Sequence, residues 1–188
     1  MDARFPLVVL LFLPLVASAQ LHPLSDFQLT RISRNLITAP SFVYAGAQQY
    51  SGNQRDRWLE VEVEFTALPE VTDDLTLNYL ILINRTLLSG EVTHTNIVAG
   101  RGNRSVMYVS PSVLARVTGS RTMAANLVQN ICVQILQNGS VKSQLTLVRA
   151  EPEWYDKLPR VPGLVLNKSQ TPFAPLYWDR YAQIKTSP

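Results

Sequence analysis

The chain has 188 residues and a mass of 21.1 kDa, room for one domain of ordinary size and too little for most two-domain enzymes. Hydrophobic residues make up 46% and charged residues 16%, a balance that supports a packed core and excludes disorder over most of the length. The net charge is +3 with a pI of about 9.2, yet the 17 basic residues are spaced singly, without the Lys/Arg run of a nucleic-acid patch.

The first residues bear on compartment. Arg4 precedes an apolar run from Phe5 to Val16, and Ala17-Ser18-Ala19 supplies the small residues a signal peptidase reads. The run is interrupted by Pro6 and Pro14 and falls short of the roughly 20 residues needed to cross a bilayer. Residues 1–19 therefore read as a cleaved signal peptide, and the mature chain as secreted, in a bacterial periplasm or on the outer cell surface. The single cysteine, Cys132, excludes an intrachain disulfide and reads as a small buried hydrophobe.

The segment Gln28 to Tyr44 is ambiguous between a helical face (Leu29, Ile32, Leu36) and a strand (Phe42, Val43, Tyr44), with extended structure favoured from about Leu36 onward. From Leu59 to Phe65, apolar Leu59, Val61, Val63 and Phe65 alternate with Glu60, Glu62 and Glu64, the period of a strand with one buried and one solvated face. Leu68 to Asp74 is a polar connection. Leu75 to Asn84 is apolar on both faces and reads as a central strand.

Ser89-Gly90 separates Thr86–Leu88 from Val92–Val98, and Gly100–Asn103 separates that run from a strand at Ser105–Val109. Ser110-Pro111 at the start and Gly119 at the end bracket a short helix. Asn138-Gly139, between Asn130–Leu136 and Val141–Val148, is a hairpin turn signal, because both residues tolerate positive φ. The elements sum to about seven strands and one helix without strand-helix alternation. The fold class is mainly β, an antiparallel immunoglobulin-like sandwich over residues 20–149, with a small barrel as the alternative. Its expected core is Leu59, Val61, Val63, Phe65, Ile81, Ile83, Ile131, Val133, Ile135, Leu145 and Leu147.

Residues 150–188 differ in composition, holding six of the twelve prolines and many aromatics. Trp154, Tyr155, Phe173, Tyr177, Trp178 and Tyr181 are costly to leave in water, so the segment should dock on its own domain or on a partner. Those six residues are the candidate binding set. Arg101 and Arg104, in a glycine-rich stretch without the lysine of a phosphate loop, join them as guanidinium forks for an anionic glycan or acidic partner, together with Arg55 and Arg57 in the polar loop before the strand at Leu59.

No catalytic constellation is evident. His22 and His94 lack zinc-type spacing, and the Glu60, Glu62 and Glu64 row reads as a solvated face, so neither a metal nor a cofactor is expected. Asn-x-Ser/Thr triplets at Asn84, Asn103, Asn138 and Asn167 would be glycosylation acceptors in a eukaryotic secretory protein and are equally the residues of turns, so no function is drawn from them.

The run Trp58 to Phe65, the step Tyr108-Val109-Ser110-Pro111 and the closing Thr171 to Tyr181 resemble a family of exported proteins of mucin-degrading gut Verrucomicrobia, associated with a pilus gene cluster. The resemblance implies an immunoglobulin-like domain at the cell surface, linked to pilus-type subunits and host contact. Because the apolar stretch precedes the cleavage site, an accessory subunit is expected and a major pilin is not. The sequence thus points to a non-catalytic pilus-associated or adhesin-like protein, whose partners are protein subunits, a second copy, or mucin and other glycans. A glycan-processing hydrolase or periplasmic carbohydrate-binding protein is the alternative.

Overall fold

The computed structural model describes residues 25–42, 56–120, 126–151 and 153–186. Residues 1–19, where the signal peptide is expected, and His22, Val43, Tyr44 and Arg55 lie outside the described residues. Two sheets face each other. One contains β1 (Phe27–Thr38), β2 (Arg57–Thr72), β5 (Ile97–Val109) and β9 (Val165–Asn167), in the order β1-β2-β5-β9. The other contains β3 (Leu75–Ile83), β4 (Thr86–His94), β6 (Val128–Gln137), β7 (Ser140–Thr146) and β8 (Arg160–Pro162), in the order β7-β6-β3-β4-β8. All pairings are antiparallel except that of β4 with β8. The fold is the expected antiparallel sandwich, with one short α-helix among the described residues.

The alternation in β2 sets the architecture. Leu59, Val61, Val63 and Phe65 are wholly or almost wholly buried and meet Leu77, Tyr79, Ile81 and Ile83 of β3, with Ile131, Val133 and Ile135 of β6, in one core. Leu145 and Leu147, expected in that core, are only partly buried at its margin, because β7 is an edge strand with one neighbour. Helix α1 (Pro111–Thr118) has the expected caps. Ser110 Oγ accepts from the Val113 N–H, Gly119 closes the helix at φ 71°, and Leu114 plugs the core. The Asn138-Gly139 turn has φ of 51° and 75°, as a primed two-residue hairpin requires.

Four expectations are corrected. Strand β1 begins at Phe27, well before Leu36, because its register with β2 hydrogen-bonds it from Phe27↔Ala67 onward. Strand β2 runs on to Thr72 through Leu68 and Pro69, leaving Asp73-Asp74 as the turn. Thr86 to His94 is one strand, entered by a second primed turn at Asn84-Arg85 (φ 45° and 64°). Gly100 and Gly102, with φ of 129° and 103°, lie inside β5, where the register to β2 shifts. They bulge the strand and do not end it.

Gly90 is in β4 for a packing reason. A Cβ there would lie 2.6 Å from the Val165 carbonyl oxygen and 2.7 Å from the Val165 Cβ, so β9 approaches β4 only over a bare backbone. Gly90→Ala is expected to destabilise by about 1–3 kcal/mol through overpacking. A urea midpoint lowered without change in slope would register it, and an unchanged midpoint would show that β9 yields freely.

After Ala150 the chain clasps the sandwich. A 3-10 turn at Trp154–Lys157 lies on the outer face of the five-stranded sheet. Strand β8 then extends that sheet beside β4, and β9 extends the other beside β5. A second 3-10 turn (Lys168–Gln170) and residues 171–181 cross the outer face of the four-stranded sheet, and residues 182–185 then bond to Arg104 and to the end of β4.

Candidate functional site

Six residues of the C-terminal segment carry the sequence-derived site, and the structure divides them into anchors and displayed groups. On the five-stranded sheet Tyr155 is buried over Leu80, Leu87 and Cys132, with Trp154 edge-on at 5.7 Å. The Tyr155 hydroxyl donates to Gln144 Oε1 at 2.8 Å and accepts from Gln134 Nε2 at 3.0 Å, while Gln134 Oε1 accepts from Asn78 Nδ2 at 3.1 Å. Beneath it, burial pushes the Cys132 thiol up to about 12, so it stays protonated and inert.

On the four-stranded sheet, Phe173 stacks on Tyr108 with centroids 4.7 Å apart and planes at 11°. Trp58 meets the same ring edge-on at 5.7 Å. Val106, Ile37, Leu176 and Tyr181 complete a second small core on this outer face.

The glutamate row, read from sequence as solvated, is therefore corrected. Glu62 is 4% exposed. Its carboxylate accepts two hydrogen bonds from Arg180 Nη2, at 2.9 and 2.8 Å, and a third from the Tyr181 hydroxyl at 2.8 Å. Glu60 accepts from Asn35 Nδ2 and the Tyr108 hydroxyl, both at 3.3 Å. Glu64 pairs with Arg31 at 2.6 Å and Arg104 at 2.8 Å, and the Arg31 hydrogen bond foremost holds its carboxyl below the ordinary range. The alternation of β2 correctly assigned the glutamates to the outer face. What it could not show is that a segment about 118 residues downstream covers that face.

Arg104 is thus engaged in an internal ion pair, whereas Arg101 stands exposed on the bulged part of β5. Tyr177 and Trp178 are displayed, at 59% and 81% exposure. Tyr177 has φ of 53° in a turn closed by the Arg180 N–H to the Tyr177 carbonyl at 3.2 Å. Tyr177 lines a groove toward the end of β1 that also holds Arg57 and Glu60. Trp178 lines a groove of about 430 Å³ on the other side, with His94, Lys168 and Tyr181.

His94 is a functional-looking residue that sequence reasoning set aside. Its Nδ1 is 3.3 Å from the Gln183 carbonyl, which can only accept, so Nδ1 carries the proton. Nε2, 2.7 Å from Ser105 Oγ, then accepts from that hydroxyl. This is the geometry of a base with a nucleophile, but Ser105 is wholly buried, so no substrate reaches it. The imidazole instead ties β4 to β5 through Ser105 and to the C-terminal strap through the Gln183 carbonyl, beside the Thr95 N–H to Gln183 O bond of 3.0 Å.

Desolvation pushes the His94 imidazole down to about 4 from its ordinary 6.5. Between those values the unfolded chain binds a proton that the folded chain refuses. Stability is therefore fully present above pH 6.5 and is lost as pH falls toward 4, by roughly 3 kcal/mol. A plot of unfolding free energy against pH should show that slope and His94→Gln should flatten it. An equal slope in both proteins would refute the assignment.

Among the described residues, no group of three or more His, Cys, Asp or Glu side chains is placed to hold a metal ion, and no helix is long and apolar enough to cross a membrane.

Comparison with known proteins gives a family and matches among solved structures. No curated protein matches the chain. A crystal structure of a protein from Akkermansia muciniphila is similar, with a TM-score of 0.73 and 22% identity over 87% of this chain and 94% of that one. At that identity the likeness shows the fold. A protein-family model matches residues 19–188, and the chain, aligned with it over nearly its full length, belongs to that family.

Proposed function

We propose that the protein is a non-catalytic, exported cell-surface subunit, pilus-associated or adhesin-like, that contacts a partner subunit or a host glycan through the aromatic tip of its C-terminal strap. The observation that carries this reading is the contrast within one segment. Phe173, Arg180 and Tyr181 are bolted to the sheet, while the neighbouring Tyr177 and Trp178 project from it. Rigidly mounted exposed aromatics supply contact area at low entropic cost, the composition of interface hot spots. A catalytic role has little support. The three carboxylates of β2 are all engaged by fixed partners, and Ser105 is sealed in the core. The leader-like residues 1–19 support export, and the sequence resemblance supports the pilus-linked form of the reading.

The test is a Tyr177→Ala/Trp178→Ala variant. Both side chains lie outside the cores, so its melting temperature should stay within about 2 °C of the parent. Its adhesion to mucin-coated surfaces, or its self-association, should fall at least about tenfold. Undiminished adhesion and association would refute the proposal, as would sugar release from mucin glycans by the purified protein.

A further inference from the structure

Lys168 is an uncommon residue to find buried. It is 7% exposed, and its ammonium, which has three protons to donate, makes one hydrogen bond, of 2.7 Å to the Ala174 carbonyl. No carboxylate among the described residues pairs with it, and desolvation lowers its pKa. A buried cation without a counter-charge is unfavourable unless something completes it.

What adjoins it is space. Lys168 is in the wall of the groove of about 430 Å³ that also takes in Val106, Ser169, Trp178 and Gln183. The groove's walls are mostly apolar, and the indole of Trp178 is 81% exposed at its margin. A small ligand site combines such walls with a few convergent polar groups. Here the charge requirement selects an anion, the open indole selects a flat-faced ring, and the Ser169 hydroxyl, whose proton goes to Asn167 Oδ1 at 2.6 Å, keeps lone pairs that can accept from a ring hydroxyl.

We infer that this groove is a binding site for a carboxylated sugar, whose carboxylate meets the Lys168 ammonium and whose ring lies on Trp178. The inference rests on the adhesive reading of the strap and names the ligand class for one of its two sides. A carboxylate beside an ammonium that makes one hydrogen bond and has no counter-charge among the described residues gains a charge-assisted hydrogen bond that a neutral sugar cannot make.

The experiment is calorimetric titration of the full mature chain at neutral pH and low salt with three probes: sodium glucuronate, glucose and sodium phenylacetate. Glucuronate should bind with a millimolar Kd, and glucose and phenylacetate at least about tenfold more weakly, one lacking the charge and the other the hydroxyls. Lys168→Met should remove glucuronate binding. Because that change also removes the tie to Ala174, Trp178→Ala provides a second variant that disturbs no anchor, and it should weaken glucuronate several-fold at unchanged melting temperature. Equal binding of glucose and glucuronate, tighter binding of phenylacetate, or no glucuronate binding up to about 20 mM would each overturn the inference. Mucin adhesion lost in the Tyr177→Ala/Trp178→Ala variant but intact in folded Lys168→Met would leave the adhesive reading standing and this one refuted. Glucuronate binding by a protein that adheres to nothing would do the reverse.

Discussion

A chain ending at Ala150 is expected not to fold. The cut removes β8 and β9, each an edge of one sheet, and strips the outer cover from both. Leu80, Leu87 and Cys132 lose Tyr155, and Val106 and Tyr108 lose Phe173. Re-exposing large apolar side chains costs about 1.5–3 kcal/mol each, and several at once are comparable to the roughly 5–15 kcal/mol that a domain has in total. The loss of Val165 from the main core adds to this. Far-UV circular dichroism and a denaturant titration of residues 20–150 beside residues 20–188 would read the result. A cooperative transition near that of the longer chain would show that the sandwich stands alone and that the last segment is an appendage. Prolines at 159, 162, 172 and 175 fit the clasping role, since they limit what the unfolded segment can sample and so reduce the entropy lost on docking.

The second large effect is expected at Glu62. Glu62→Lys removes the acceptor of three hydrogen bonds and sets a second cation against Arg180 under the strap. Removing one partner of a buried ion pair typically costs 3–5 kcal/mol. The Arg180 side chain is 43% exposed, so water offsets part of the loss and about 3 kcal/mol is expected. Glu62→Gln keeps the shape and part of the hydrogen bonding and should cost about 1–2 kcal/mol. Urea midpoints for both, with Arg180→Met to close a double-mutant cycle, would isolate the pair. A Glu62→Lys protein within about 0.5 kcal/mol of the parent would mean that the strap does not rest on this carboxylate. The two experiments are linked. If the strap is loosened at Glu62, the grooves on its two sides change shape, and adhesion should fall with stability.

Much of the sandwich was legible in local patterns, because each relies on interactions within a few residues. The alternation of Leu59, Val61, Val63 and Phe65 fixes which face of β2 is inward, since side chains on a strand have a period of two. Asn138-Gly139 fixes a hairpin because few residue pairs adopt two successive positive φ values. Ser110, Pro111 and Gly119 fix the ends of α1 by satisfying helix-end hydrogen bonds. Local signals misled where a glycine had a different purpose. Gly90 reads as a break but makes room for β9, and Gly100 and Gly102 read as a loop but bulge a strand.

The site is a different matter, since it is assembled from distant parts of the chain. The sequence by itself placed Phe173, Tyr177, Trp178 and Tyr181 in a segment too aromatic to remain solvated, and put three glutamates on one face of β2. Only the tertiary structure decided that these two features meet, that Phe173 and Tyr181 are anchors while Tyr177 and Trp178 are displayed, and that Arg104 serves Glu64. It likewise decided that His94 finds Ser105 and that Lys168 is buried with no counter-charge among the described residues. The physical reason is that burial belongs to whatever lies above a residue. An outward-facing strand position looks the same in sequence whether water or a strap from more than a hundred residues away covers it.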